Sequence, residues 1–256
     1  MGELDGRIAI ITGGGRGIGF GIAQRLCKAG ASVVIAELDD EAGKKAVAEL
    51  ESTGLNASYQ PIDVRDPVSV ERAVESTLHA HEQIDILINN AGLVSIGPTE
   101  EYSIDDWSKQ TDVMLSGVFY CMQAVGRSML KVGKGVILNI SSIGGFGAWP
   151  LRASYNSSKA GVISLTENIG CEWARRGVRV VSVAPGVTRT QLFQQVVNSG
   201  DASEEKFNQR TPMNRVGEVD EIASVVQFLV SDRASYITAT TVTVDGGWVA
   251  WGNLPV

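Results

Sequence analysis

The sequence predicts an α/β chain: a parallel sheet covered by helices on both faces. Three observations carry that prediction. Short apolar runs of strand length alternate with longer segments of helical period, the signature of a parallel sheet wrapped on two sides. With 256 residues and 44% hydrophobic content, the chain can bury one large core. No linker, repeat or low-complexity stretch divides it, so a single unit over residues 1–256 is expected.

RIAIIT (Arg7–Thr12) is the first buried strand. GIGFGIAQRLCKAG follows as a helix that stops at Gly30, glycine being a favoured terminator. SVVIAE and ASYQPIDV are the second and third strands, with the helix DEAGKKAVAELEST between them. PVSVERAVESTLHAH is the third helix, opened by Pro67 near its first turn, where a missing N–H costs nothing. IDILINNAG supplies the fourth strand, and one helix is expected from about Ile104 to Lys131. GVILNISS is the fifth strand, a helix runs from about Ser154 to Arg176, and VRVVSVAPG is the sixth strand. EVDEIASVVQFLVS makes a last long helix and TTVTVDGG a last strand. One stretch breaks the rhythm, about Arg189 to Arg215: it is polar and contains NSGDASEEK. A lid or a disordered loop is expected there; a lid at the carboxyl end of the sixth strand would sit where ligands bind in such folds.

Composition excludes several functions. Net charge is −7 and the basic residues are scattered, whereas nucleic-acid binding needs a basic patch. No apolar run approaches the ~18 residues of a membrane span. MGELDGR is acidic, lacking both a signal-peptide core and the Ser or Thr of a myristoylation signal. Cys27, Cys121 and Cys171 form an odd set without CxxC spacing, so free, buried thiols in a reducing, cytoplasmic compartment are expected. His79 and His81 are the only histidines; two apart on a helix, they point in different directions and read as surface residues. No metal site is expected, and a triad hydrolase would lack its base.

ITGGGRGIG sits between the first strand and first helix, with Gly13, Gly17 and Gly19 spaced G-x-x-x-G-x-G. Glycine allows the tight turn and the close approach of backbone to a pyrophosphate, and the helix N-terminus offers free N–H groups. The strand-loop-helix context makes this a dinucleotide loop. Glu37 ends the second strand, near the ~20-residue offset of a ribose-binding acid. Its carboxylate can accept from ribose hydroxyls and repels a 2′-phosphate, favouring NAD over NADP. Arg16 argues the other way, since it could hold that phosphate; pairing with Glu37 or stacking on adenine are its other uses.

YNSSK (Tyr155–Lys159) places a phenol and an ammonium group four apart, on one face of a helix. A free phenol titrates near ~10, and a nearby cation favours its ionised form. The pair is either a tuned acid/base or two polar residues on a wet helix face.

Together with NNAG (Asn89–Gly92), ISS (Ile140–Ser142) and APG (Ala184–Gly186), in this order, the motifs make the chain resemble the short-chain dehydrogenase/reductase family. The likeness runs from GRIAIITG through NRVGEVDEIA to TVDGG. The resemblance implies a single Rossmann domain with a doubly wound, seven-stranded parallel sheet. It implies cofactor contacts from Gly13, Gly15, Arg16, Gly17, Ile18 and Gly19, with Asp63 and Val64 framing the adenine. Asn90 would lie by the cofactor ribose, and Pro185, Thr188 and Thr190 on the nicotinamide side. Tyr155 would carry the proton, and Lys159 would lower its pKa and bind the nicotinamide ribose. Ser142 would orient the substrate.

Met114 departs from the family pattern, standing where an asparagine usually kinks the helix and holds a relay water. Met offers no donor and only a weak acceptor, so an altered relay in a working catalyst is expected. The substrate side should include Phe146, Trp149 and Leu151, with Val94, Ser95 and the lid residues Leu192, Phe193 and Phe207; core or interface packing is the other reading of the aromatics. Trp248 and Trp251 mark a tail that in family members often reaches a neighbouring subunit, so a homotetramer is expected. The leading functional expectation is NAD-dependent oxidation of a secondary alcohol: a polyol, cyclic or aryl alcohol. An NADPH-dependent 3-oxoacyl ketoreductase and a catalytically weak dinucleotide-binding scaffold are the alternatives.

Overall fold

A computed structural model describes residues 2–198 and 203–252. The first half contains β1 (Ile8–Thr12), α1 (Gly17–Lys28), β2 (Ser32–Glu37), α2 (Asp40–Ser52), β3 (Ala57–Pro61), α3 (Pro67–His81) and β4 (Ile86–Asn89). Then come α4 (Ile104–Thr111), α5 (Gly117–Val132), β5 (Gly135–Ile140), α6 (Ala153–Ala174) and β6 (Val178–Pro185). The last part holds β7 (Thr188–Arg189), α7 (Gln191–Asn198), α8 (Glu204–Arg210), β8 (Gly217–Glu218), α9 (Val219–Val230) and β9 (Thr240–Val244). Seven strands form one sheet in the order β3-β2-β1-β4-β5-β6-β9, every pair parallel. This is the doubly wound Rossmann architecture that the motifs imply.

Alternate side chains of each strand point to opposite faces, and both faces are dry. On one, Ala9, Ile11 and Ile35 meet Ile22 and Leu26 of α1, Leu50 of α2, and Ile222 and Val226 of α9. On the other, Ile10, Val34 and Leu87 meet Val70 and Val74 of α3, Met122 of α5 and Val162 of α6. Each such side chain contributes roughly 1.5–3 kcal/mol by leaving water. Asp39 and Asp66 cap α2 and α3 by accepting from Ala42 and Val68.

Three boundaries differ from the sequence reading. The third strand stops at Pro61, because the Asp63 N–H turns aside to Ser69 Oγ at 3.0 Å. The helix expected over 104–131 is two helices joined by a π turn at Asp112–Ser116. The helix that follows packs closely on the segment after β3. A Cβ on Gly117 would come within 2.9 Å of the Val64 carbonyl oxygen. The region Arg189 to Arg215 is ordered where described: it holds α7 and α8, and β7 pairs with β8. Arg189 staples it, donating to both Glu204 carboxylate oxygens at 2.7 and 2.6 Å and to Glu218 at 2.9 Å.

Candidate active site

Thr12 ends β1 where the strand order turns from β2 to β4, the crevice in which open α/β sheets take ligands. Gly13 and Gly17 follow with φ of 63° and 57°, left-handed values that glycine adopts without strain. Gly19 serves close approach instead: a Cβ there would sit 2.3 Å from the Gly13 carbonyl oxygen and 2.5 Å from Asn90 Nδ2. The first turn of α1 has neither a side-chain cap nor an acidic residue. Its amides and positive dipole end are therefore open to an anion. Ile18, in that turn, packs on the core.

Asn90 clamps this loop to β4. Its amide donates to the carbonyls of Thr12 (3.1 Å) and Gly13 (2.9 Å), while Thr12 Oγ1 accepts from the N–H groups of Asn90 and Ala91. The amide nitrogen thus serves the loop, and Oδ1 is left without a hydrogen bond to it.

At the end of β2, Glu37 accepts from the N–H groups of Gly15 (3.2 Å), Leu38 (3.0 Å) and Asp39 (3.3 Å). The Arg16–Glu37 pair considered from sequence does not form; Arg16 pairs with Asp39. The Ala42 N–H at the start of α2, then Arg16, hold the Asp39 carboxyl below its ordinary range. Asp63 is gripped by Arg65 at 2.6–3.2 Å, which lowers its pKa, and Val64 is buried beside it. These residues therefore fit a dinucleotide: glycines that serve left-handed turns or close approach, an open helix terminus and an acid at the end of β2.

Across the cleft, β6 ends at Pro185. Thr188 is buried and its Oγ1 donates to the Gly186 carbonyl at 3.0 Å. Thr190 accepts from the Phe193 N–H at 3.2 Å and reaches back to the glycine loop, its methyl 3.8 Å from where a Gly17 Cβ would be.

Ser142 follows β5 and is buried. Its Oγ accepts from the Gly144 N–H at 3.1 Å, which leaves its O–H to donate to Tyr155 in the first turn of α6. Burial raises the Tyr155 pKa; the Ser142 hydrogen bond and the Arg152 charge pull it back. Lys159 is buried, with Nζ donating to the Ile140 carbonyl at 2.7 Å and lying 5.8 Å from the Tyr155 ring centre. Burial pushes its ammonium down to about 8. The three side chains converge at the carboxyl end of β5. The Lys159 ammonium is turned to the Ile140 carbonyl, and the Arg152 charge acts on Tyr155 from the other side of the motif.

Met114 lies fully buried in the π turn, its thioether 3.8 Å from where a Gly92 Cβ would be. The kink therefore forms without asparagine. Sequence reasoning missed a polar row nearby. Gln110, four residues earlier and fully buried, donates to the Tyr102 hydroxyl, which lies 3.1 Å from Ser154 Oγ and donates to the Ser95 carbonyl at 3.3 Å. Helical spacing from Met114 was the available signal. Arg152, three residues before Tyr155, was missed as well.

On the substrate side, Trp149 stacks on Trp248 (centroids 6.1 Å apart) and meets Phe207 edge-on at 6.4 Å; Phe207 meets Phe193 at 5.9 Å. Lid and tail close into one aromatic cluster. Val94, Phe146 and Leu151 are instead exposed, and the Leu192 side chain lies outside the described residues. Trp248 and Trp251 pack on their own chain: the Arg210 guanidinium lies over both rings and donates to both their carbonyls. Cys27 and Cys121 are buried, but Cys171 is exposed, contrary to expectation.

A family model described as enoyl-(acyl carrier protein) reductase matches residues 13–249. The chain belongs to the short-chain dehydrogenase/reductase family. This short-chain dehydrogenase/reductase is 37% identical to the galactitol 2-dehydrogenase of Rhizobium johnstonii over 97% of both chains. It is 36% identical to the 3-oxoacyl-(acyl carrier protein) reductase of Chlamydia muridarum over 95% of this chain and 98% of that one. A solved gluconate 5-dehydrogenase of Burkholderia cenocepacia, in complex with NADP and tartrate, superposes with a TM-score of 0.91 at 36% identity over 97% of each chain. A short-chain dehydrogenase/reductase is an oxidoreductase that binds a nicotinamide dinucleotide, and no helix among the described residues is long and apolar enough to cross a membrane.

Proposed function

We propose that this protein is an NAD-dependent oxidoreductase that interconverts a secondary alcohol and its ketone, a polyol in the first instance and otherwise a cyclic or aryl alcohol. The observation that carries the reading is the meeting of Ser142, Tyr155 and Lys159 at the carboxyl end of β5, beside the glycine loop. Bound nicotinamide supplies the hydride acceptor for oxidation and the donor for reduction. Tyr155 takes the proton from the carbinol oxygen, or returns it to the carbonyl oxygen. The Ser142 hydroxyl hydrogen-bonds that oxygen as charge develops on it. Lys159 holds the nicotinamide ribose and adds positive charge beside Tyr155 once it leaves the Ile140 carbonyl.

Glu37 supports NAD: three N–H groups fix its carboxylate under the loop, and Arg16 is engaged by Asp39. The relatives named for galactitol and gluconate support a polyol. The relative named for 3-oxoacyl reduction favours the second reading, an NADPH-dependent ketoreductase. We read the assembly as a homotetramer, and the free thiols support a cytoplasmic setting.

The test is initial rates with NAD and NADP on glucitol, cyclohexanol and 1-phenylethanol, and with NADPH on a 3-oxoacyl thioester. NAD should be preferred, and Glu37→Gln should narrow that preference by about tenfold, ~1.4 kcal/mol. Preference for NADPH and the thioester would replace the reading with the second one. Cofactor binding without turnover on any substrate would make the protein a scaffold.

A further inference from the structure

The candidate site holds a cation that the alcohol chemistry does not require. Arg152 is partly buried, and its guanidinium lies 4.5 Å from the Trp149 ring centre. Among the described residues, the other partly buried arginines are better satisfied. Arg7, Arg25 and Arg189 pair with carboxylates, and Arg179 and Arg210 each donate to two backbone carbonyls. Arg152 makes one hydrogen bond, to the Pro150 carbonyl at 3.4 Å. A guanidinium has five N–H donors in a planar fork, and leaving them half-desolvated without acceptors is costly.

The backbone holds the arginine in this place. Leu151 adopts φ of 67°, a left-handed value that costs a leucine free energy, and its carbonyl is pinned by the Gly97 N–H at 3.0 Å. Arg152 then starts α6 three residues before Tyr155, close enough for its charge to act on the phenol. The cation, the Trp149 face and the phenol are thus presented together, and no acidic side chain among the described residues neutralises the cation.

We infer that the substrate is an anionic secondary alcohol, a hydroxy acid whose carboxylate is held in a forked hydrogen bond by Arg152 while its carbinol oxygen meets Ser142 and Tyr155. A planar guanidinium matches a carboxylate bidentately, and Trp149 fixes the plane of the fork. This inference rests on the proposed alcohol oxidation and names its substrate class.

The experiment measures kcat/KM with NAD for gluconate beside glucitol, and for 3-hydroxybutyrate beside its methyl ester, on wild type, Arg152→Gln and Arg152→Lys. Wild type should favour the acids by about 10- to 100-fold, the worth of a hydrogen bond to a charged group. Arg152→Gln should erase that preference, mainly through KM, and Arg152→Lys should restore part of it. The acid-to-neutral ratio within each variant cancels any effect of Arg152 on Tyr155. Equal use of acids and neutral partners by wild type, or equal loss on both in Arg152→Gln, would overturn the inference and leave alcohol oxidation standing. Absence of turnover on acids and neutral alcohols alike, with the cofactor bound, would sink the underlying reading as well. Matching thermal melts for the variants would show that each is folded.

Discussion

The two halves of the cleft are built from different materials. The cofactor half is backbone: Gly13, Gly17 and Gly19 with the open amides of α1, clamped by Asn90 and Thr12 at the ends of central strands. The substrate half is side chain: Trp149, Phe193, Phe207 and Trp248 converge from separate segments, and Arg189 staples the lid to Glu204 and Glu218. The first half has little room to change: a Cβ on Gly13 or Gly19 would overlap backbone, and Gly17 needs its left-handed φ. The second depends on solvent-accessible pairs, typically worth only ~0–1 kcal/mol each. Rigid backbone suits a ligand every turnover shares, and adjustable side chains suit the partner that varies.

Variants across the cleft can break or sharpen this contrast. Tyr155→Phe, at the seam, should have the largest effect, a fall in turnover of about 10³-fold with cofactor affinity kept, read by NADH fluorescence. Retained turnover would remove the phenol from the mechanism. Since burial holds Tyr155 above its ordinary range, its base form grows with pH, so wild-type oxidation should climb into alkaline solution while reduction falls. Gly19→Ala comes next. Overpacking of about 1–3 kcal/mol should lower the melting temperature and weaken cofactor binding roughly tenfold; an unchanged protein would mean that the loop yields. Arg189→Met should cost about 1 kcal/mol or less, raising substrate KM a few-fold while cofactor affinity stays constant. Added salt should produce part of the same change in wild type. If cofactor affinity fell equally, the two halves would not be separable. Met114→Asn should have the smallest effect, turnover within about threefold of wild type, under ~1 kcal/mol in the barrier. A large gain would show that the buried thioether limits proton movement.

What was legible depended on the range of the interaction. The strand-helix alternation, the glycine loop and the Tyr155–Lys159 spacing are local patterns, and each appears where the periodicity placed it. The π turn at Asp112–Ser116 that breaks the expected 104–131 helix leaves no mark in the hydrophobic period; only the family resemblance at Met114 pointed to a kink there. Arg16 was read against Glu37, yet Asp39, fixed by capping α2, takes the pair. Gln110 read as an ordinary helix residue until Tyr102 and Ser154 came to meet it.

By itself the sequence determined the sheet, the order of its covering helices and the place of the glycine loop, since hydrophobic period and glycine placement act within a few residues. Tertiary structure alone decided which charges pair, where Lys159 points and what stands beside Tyr155. Those outcomes follow from competition among partners far apart in the chain, resolved only when burial removes water as the alternative.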